Sequence, residues 1–293
     1  MRTAELVMEE SSTPRIEPAR TPTGIKTILL HIQNDANLEA RLQVALSLAR
    51  ANGAHLRCLH VTPIEAYVTA DTLGGVFVMD RIIEQIDQEE DKLRANLTAH
   101  LSAEDVSWDY EQVTANTVAQ LVRCAALSDI VVTSRDAHRG REQALETGII
   151  GDVLTSSRTP LFIPGDDQAA FDPFGTAVIA WNDNYEASNA VRNAVPLLKL
   201  SSEVRVVRFV EGEQAPPMSL LEYLSRHDIH ARLDDWVRDR EPVAELLTEY
   251  AKQKGASYIV MGGYSHSRAG EFLFGGVTRS LLKNCPVSLV MAH

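Results

Sequence analysis

Cysteine is scarce in this sequence, three among 293 residues, at positions 58, 124 and 285 with no paired spacing. That excludes a disulfide framework and the close Cys pairs of zinc sites, and it fits a reducing compartment. Long apolar runs are missing too. No window approaches the roughly 18 apolar residues of a membrane span, and Met1 to Gly24 holds no apolar core of signal-peptide length, so the expectation is a cytoplasmic protein with no membrane partner. Cations are in deficit, 28 Lys and Arg against 40 Asp and Glu, for a net charge of -12. Binding to a phosphate backbone is driven by Lys and Arg displacing counterions, so this balance speaks against nucleic acid. Neither Gly-Lys-Ser nor Gly-Lys-Thr occurs, which removes the Walker loop, and no glycines fall at the dinucleotide spacing. No triad, paired acid/base spacing or metal-ligand spacing stands out, so no catalytic and no metal residues are assigned.

What is present is 45% apolar residues, enough for two compact cores. Residues 1–24, with Glu9, Glu10, Ser11, Ser12 and prolines at 14, 18 and 22, read as a polar, disordered tail. From Ile25 the chain alternates short β-rich runs with amphipathic helices. Strands fall at Ile25–Ile32, His55–Val61, Val106–Val113, Asp129–Thr133 and Pro160–Pro164. Helices fall at Ala36–Arg50, Met79–Leu101, Thr117–Ala126 and Gly148–Ser157, and Ile64–Val78 reads as an insertion. Gly165 to Pro173 breaks the pattern, and the order restarts. Thr176–Trp181, Glu203–Val210, Ile229–Val237 and Tyr258–Met261 are strands, with helices at Tyr185–Leu198, Ser219–His227 and Pro242–Lys254, then a last helix and strand. Two passes of the same order amount to an internal duplication, with domains at 25–166 and 174–293. The pairs that support it are Ile28–His31 with Val178–Trp181, Asp129–Val132 with Ser257–Val260, and Pro160–Ile163 with Pro286–Leu289. Strand–helix alternation demands a parallel sheet with helices on both faces, whose ligands sit beyond the carboxyl ends of the strands.

The most informative stretch is Ser257 to His293. A strand runs into Gly262-Gly263, and a second pair, Gly275-Gly276, precedes a helix that opens within Glu271–Thr278. Such a backbone bends closely around a phosphate with free N–H groups turned inward. This stretch resembles the C-terminal signature of the universal stress protein family, glycine, two residues, glycine, nine residues, glycine and Ser or Thr, which cradles ATP phosphates. Gly262 takes the first position, Ser265 stands in for the second glycine, Gly275 is the third, and Gly276 replaces the hydroxyl residue. The resemblance covers nearly all of 25–293. It implies two tandem Rossmann-like α/β domains of the adenine nucleotide α-hydrolase type, each a five-stranded parallel sheet, whose fifth strands pair within the chain as an intramolecular pseudo-dimer.

For the second domain the resemblance implies nucleotide contacts at Ala180, Asn182, Val210, Met261, Gly262, Ser265, Gly275, Gly276 and Val277, with ATP, with or without Mg2+, as the ligand. Asn182 and, in the first half, Gln33 stand where the family tends to carry Asp. Ser265 in a conformation suited to glycine costs about 1 kcal/mol, and the hydroxyl lost at Gly276 about as much, together a roughly ten- to hundredfold weakening. The first half offers Ser134-Arg135-Asp136 after its fourth strand, with Gly148 and Gly151 later, and reads as degenerate. His31, His55 and His60 read as core or surface histidines, and Asp234-Asp235 and Glu89-Glu90-Asp91 as charged outer faces. Tyr264 to Arg268 read as a solvated lid, and Trp181 either stacks on a purine or fills a crevice. The functional expectation is a non-enzymatic stress-response module acting through unidentified protein partners, with a homodimer open. The alternative is an enzyme that hydrolyses ATP or transfers a nucleotidyl group.

Overall fold

The structure is a computed structural model that describes residues 24–63, 76–135, 148–166, 171–263 and 276–293, with side chains from 83 in the helix that begins at 76. The strands are β1 (Thr27–Ile32), β2 (His55–Pro63), β3 (Trp108–Ala115), β4 (Ile130–Val132), β5 (Leu161–Ile163), β6 (Thr176–Ala180), β7 (Glu203–Val210), β8 (Ala231–Val237), β9 (Ala256–Gly262) and β10 (Ser288–Ala292). The helices are α1 (Leu38–Asn52), α2 (Val76–Ser102), α3 (Thr117–Ala125), α4 (Gly148–Ser156), α5 (Tyr185–Leu198), α6 (Met218–Arg226), α7 (Val243–Gln253) and α8 (Gly276–Asn284). Of the insertion expected at 64–78, residues 64–75 lie outside the described residues and 76–78 belong to the long helix, which begins three residues earlier than the periodicity suggested.

All ten strands form one sheet in the order β3-β2-β1-β4-β5-β10-β9-β6-β7-β8. Each half is parallel throughout, and the halves meet through one antiparallel pair, β5 with β10, in the register Leu161↔Met291, Phe162↔Val290 and Ile163↔Leu289. Strands that are apolar on both faces require cover on both. One core layer, under α1, α2, α5 and α6, gathers Leu30, Leu46, Leu97, Val191 and Leu224; the other, under α3, α4, α7 and α8, gathers Leu29, Leu121, Leu154, Leu247 and Leu281.

The registers fix which residues correspond. Leu30 faces Val132, which faces Phe162; Ile179 faces Val260, which faces Val290; and Phe162 faces Val290 across the join. Two of the sequence pairings are therefore corrected, Leu30 matching Ile179 rather than Ala180, and Phe162 matching Val290 rather than Ser288. Runs of similar apolar residues slide by one or two places without changing their composition, so sequence alone holds them loosely. The Asp129–Val132 pairing keeps its register.

At the join the chains approach closely. A Cβ on Gly165 would lie 2.1 Å from the Pro286 carbonyl oxygen, while the Gly165 N–H donates to Ser288 Oγ at 3.2 Å and that of Asp166 to the Cys285 carbonyl at 3.3 Å. Arg135, just past β4, spans the halves by donating to Asp166 (2.7 Å), the Pro164 carbonyl (2.9 Å) and the Cys285 carbonyl (2.9 Å). Replacing Gly165 by Ala is expected to lower unfolding stability by about 2–4 kcal/mol, because backbone cannot yield as a flexible side chain can. Urea unfolding of the two proteins checks this, and an unchanged midpoint would show the contact to be unimportant.

Candidate functional site

In the second half β6 and β9 lie side by side, so Ala180, then Trp181 to Asn184, stand next to Met261 and Gly262 at the carboxyl edge. The turn into α5 is set by Asp183, held at φ 59°, and by Asn184, whose Oδ1 accepts from the Ala187 N–H at 2.7 Å. Here Gly262 touches the helix start. A Cβ at this position would fall 2.6 Å from the Ala187 nitrogen and 2.6 Å from the Glu186 carbonyl carbon. At Gly263 it would meet Leu154 at 2.5 Å, a residue of the other half. Both glycines thus serve packing; Gly263 is buried, its N–H donating to the Ala292 carbonyl at 2.9 Å and its carbonyl lying 3.0 Å from His293 Nδ1.

The sequence-derived contacts fall as follows. Met261 and Val210 are buried, Ala180, Gly262 and Val277 half-buried, and Asn182 and Gly276 exposed. Val210 ends β7 opposite Val237. Gly276 opens α8, with no heavy atom within 4 Å of a Cβ there, inside the span 271–278 expected for the helix start. Ser265, Gly275 and the stretch Tyr264 to Arg268 lie outside the described residues. Trp181 resolves to the crevice-filling alternative, since it is only 7% exposed and packs within the core.

Charged residues that the sequence placed on outer faces are engaged instead. Arg208 on β7 donates to both oxygens of Asp235 at 2.7 and 2.6 Å and to the Ala215 carbonyl at 2.8 Å. Asp234 takes Arg205 at 2.9 Å and the Tyr250 hydroxyl. Alternation along β8 puts these neighbouring acids on opposite faces, each beside a β7 arginine. That period was the available signal for Arg208. Glu90 of α2 likewise lies against His60, because a helix over the sheet brings its inner side down on β2.

The first half builds a different edge. By register Ser134 occupies the place of Gly262, and its hydroxyl accepts from Arg41. Arg41 is completely buried and also donates to Asp35 at 2.9 and 3.0 Å and to the Gln33 carbonyl at 2.7 Å. A guanidinium with its own carboxylate therefore engages a position that carries no side chain in the second half. Around it are His31, whose Nδ1 lies 3.3 Å from Thr133 Oγ1, and His60, whose Nδ1 lies 2.6 Å from the Tyr110 hydroxyl. Its Nε2 faces Glu90. Burial, then the charge of Arg41, pull His31 down to about 3, and burial pulls His60 down to about 4. Both rings are neutral structural histidines. His55, more exposed, pairs with Asp109 at 2.8 Å.

A groove of about 740 Å³ between α7 and α8, lined by Ala244, Thr248, Leu281 and Asn284, contains none of the strand-end residues. Among the described residues no cluster of three His, Cys, Asp or Glu side chains is placed to hold a metal, and no helix is long and apolar enough to cross a membrane.

The model of the Universal stress protein family matches residues 173–293. No curated protein matches the chain. Among solved structures, a universal stress protein from Archaeoglobus fulgidus DSM 4304 is similar over 91% of this chain and 95% of its own, at 15% identity and a TM-score of 0.70. A functionally unknown protein from Pseudomonas aeruginosa PAO1 is similar over 92% of each chain, at 14% identity and a TM-score of 0.58. At such identities the likeness establishes the fold, and it does so across both halves.

The buried histidines make the protein acid-sensitive in a defined window. Their folded pKa values lie below 6.5, so the unfolded chain binds protons first, and stability present above pH 6.5 is lost as pH falls toward 4. The slope contributed is about 1.4 kcal/mol per pH unit for each ring. Urea unfolding between pH 4.5 and 7.5 should show His60→Gln losing about half of that excess slope; an identical slope in the variant would discount His60.

Proposed function

We propose that the protein is a tandem universal stress protein, since the family model matches residues 173–293 and residues 24–166 repeat the fold of that half. Its second half binds an adenine nucleotide, ATP with or without Mg2+, weakly. The first half is its structural partner. It works in the cytoplasm through contacts with other proteins rather than through turnover. The observation that carries this reading is the contrast at one corresponding position, Gly262 with no side chain in one half, close under the start of α5, and Ser134 held by buried Arg41 in the other. Phosphate oxygens are bound by main-chain N–H groups at a helix start, which exposed Gly276 leaves open at α8 and which a side-chain ion pair would block. Ala180, Asn182, Met261 and Val210 border the place for the nucleoside, Asn182 offering a neutral amide to a ribose hydroxyl.

Gly276 provides the test, since a side chain there meets nothing within 4 Å. Gly276→Thr restores a hydroxyl at the helix start and should tighten ATP binding about fivefold, the equivalent of one hydrogen bond. Gly276→Glu should abolish it while leaving the unfolding midpoint in place. Calorimetric titration with ATP and Mg2+ reads both, and mass analysis of gently denatured protein should find no more than about one AMP, ADP or ATP per chain. Two equivalents, or indifference to both variants, would contradict the assignment. Steady ATP turnover abolished by Gly276→Glu would favour the hydrolase reading instead.

A further inference from the structure

Large apolar side chains that reach solvent are unevenly placed on this molecule. Among the described residues they are Leu127, Tyr185, Met218 and Val237. Leu127 precedes β4 at the amino edge of the sheet, whereas the other three gather at the carboxyl edge of the second half, as the first residue of α5, the first of α6 and the last of β8. They also share one layer. α5 and α6 cover the same face through Val191 and Leu224, and Val237 lies on that face by alternation from Leu233, which packs against the same core. Their mounting is rigid. Pro216 and Pro217 fix the backbone just before Met218, the Met218 N–H donates to the Pro216 carbonyl at 2.8 Å, and Arg208 holds the Ala215 carbonyl at 2.8 Å. Tyr185 follows directly on Asn184, the N-cap of α5. Exposed apolar side chains on a fixed backbone suit docking, because little freedom remains to be lost when a partner covers them.

The charges around these side chains narrow the partner. Arg208 is paired with Asp235 and also attracts Asp183, and Arg238 is paired with Glu211 at 2.8 Å. Beyond those pairs the same rim adds Glu186, Glu213, Asp239 and Glu241 against Arg240 alone, on a chain whose net charge is -12. Such a surface repels anionic lipid and a second copy of itself, and attracts cations. We propose that this rim docks a basic amphipathic segment of another protein, with Tyr185 and Met218 as its apolar anchors and the surplus acids meeting lysines or arginines that flank the segment's own apolar residues. Tyr supplies a large stiff contact, and the unbranched thioether of Met adapts to what it meets. The proposal gives a partner chemistry to the protein-contact part of the function above, on which it rests, and it requires no nucleotide.

The probe is a labelled lysine and leucine peptide of about 15 residues, patterned as an amphipathic helix, titrated with the full chain by fluorescence anisotropy. Two control peptides carry glutamate in place of lysine and serine in place of leucine. The first peptide should bind about tenfold more tightly than either control. The double variant Tyr185→Ser with Met218→Ser should weaken it about tenfold, while Leu127→Ser at the opposite edge should leave it unchanged. Glu213→Lys with Asp239→Lys, both in exposed turns, should weaken it about fivefold and provides a second pair should the first fail to fold. Equal binding of either control peptide, or full affinity in whichever double variant folds, overturns the proposal. ATP titration of the same preparations separates the two readings. Nucleotide binding without peptide binding overturns the docking surface alone, and the loss of both overturns both.

Discussion

The antiparallel contact of β5 with β10 is the constraint on which the molecule depends. Three residue pairs close it, and they convert two parallel sheets into one sheet of ten strands. Without it each half would present a three- or five-residue apolar strand as an open edge, a template for unwanted pairing. The close fit of Gly165 under Pro286 and the three bonds of Arg135 hold that contact in register. Being internal, the contact relates two halves that differ in sequence, which a pair of identical chains could not do.

That freedom is used at the strand ends. The position of Gly263 in one half is held by Arg135 in the other, and the position of Gly262 by Ser134. In the first half the exchange commits the edge to rigidity, with Arg41, Asp35, Ser134 and two neutral histidines filling it. Removing a fully buried cation from a carboxylate leaves the partner charge exposed to a low-dielectric interior, so such networks resist piecemeal change. In the second half the glycines let α5 close on β9, and the exposed main chain is that of Gly276 at the start of α8. One fold thus supports a packed scaffold and a candidate cradle, and fold alone did not dictate which.

Much of this was legible in the sequence, because strand and helix periods are local. β7 and α5 fall on the residues expected from apolar spacing alone, Glu203–Val210 and Tyr185–Leu198; the repeated order announced two parallel sheets, and the family resemblance implied their pairing through the fifth strands. Register was less legible. Apolar strands such as Pro160–Ile163 and Pro286–Leu289 align equally well when shifted by two, and only hydrogen-bond partners settle the matter. Ion pairs were least legible of all. Asp234 and Asp235 look like a solvated acidic dipeptide until β7 is laid beside them, and Arg41 looks like one polar residue of an amphipathic helix until β4 delivers Ser134. Both depend on contacts between residues far apart in the chain.

Hydrogen–deuterium exchange of the full chain with and without ATP and Mg2+ tests the central claim most directly, since it reports where a nucleotide sits rather than only that it binds. The account predicts new protection at the end of β6, the end of β9 and the start of α8, with the ends of β1 and β4 unchanged. Protection centred on β1 and β4 would contradict it.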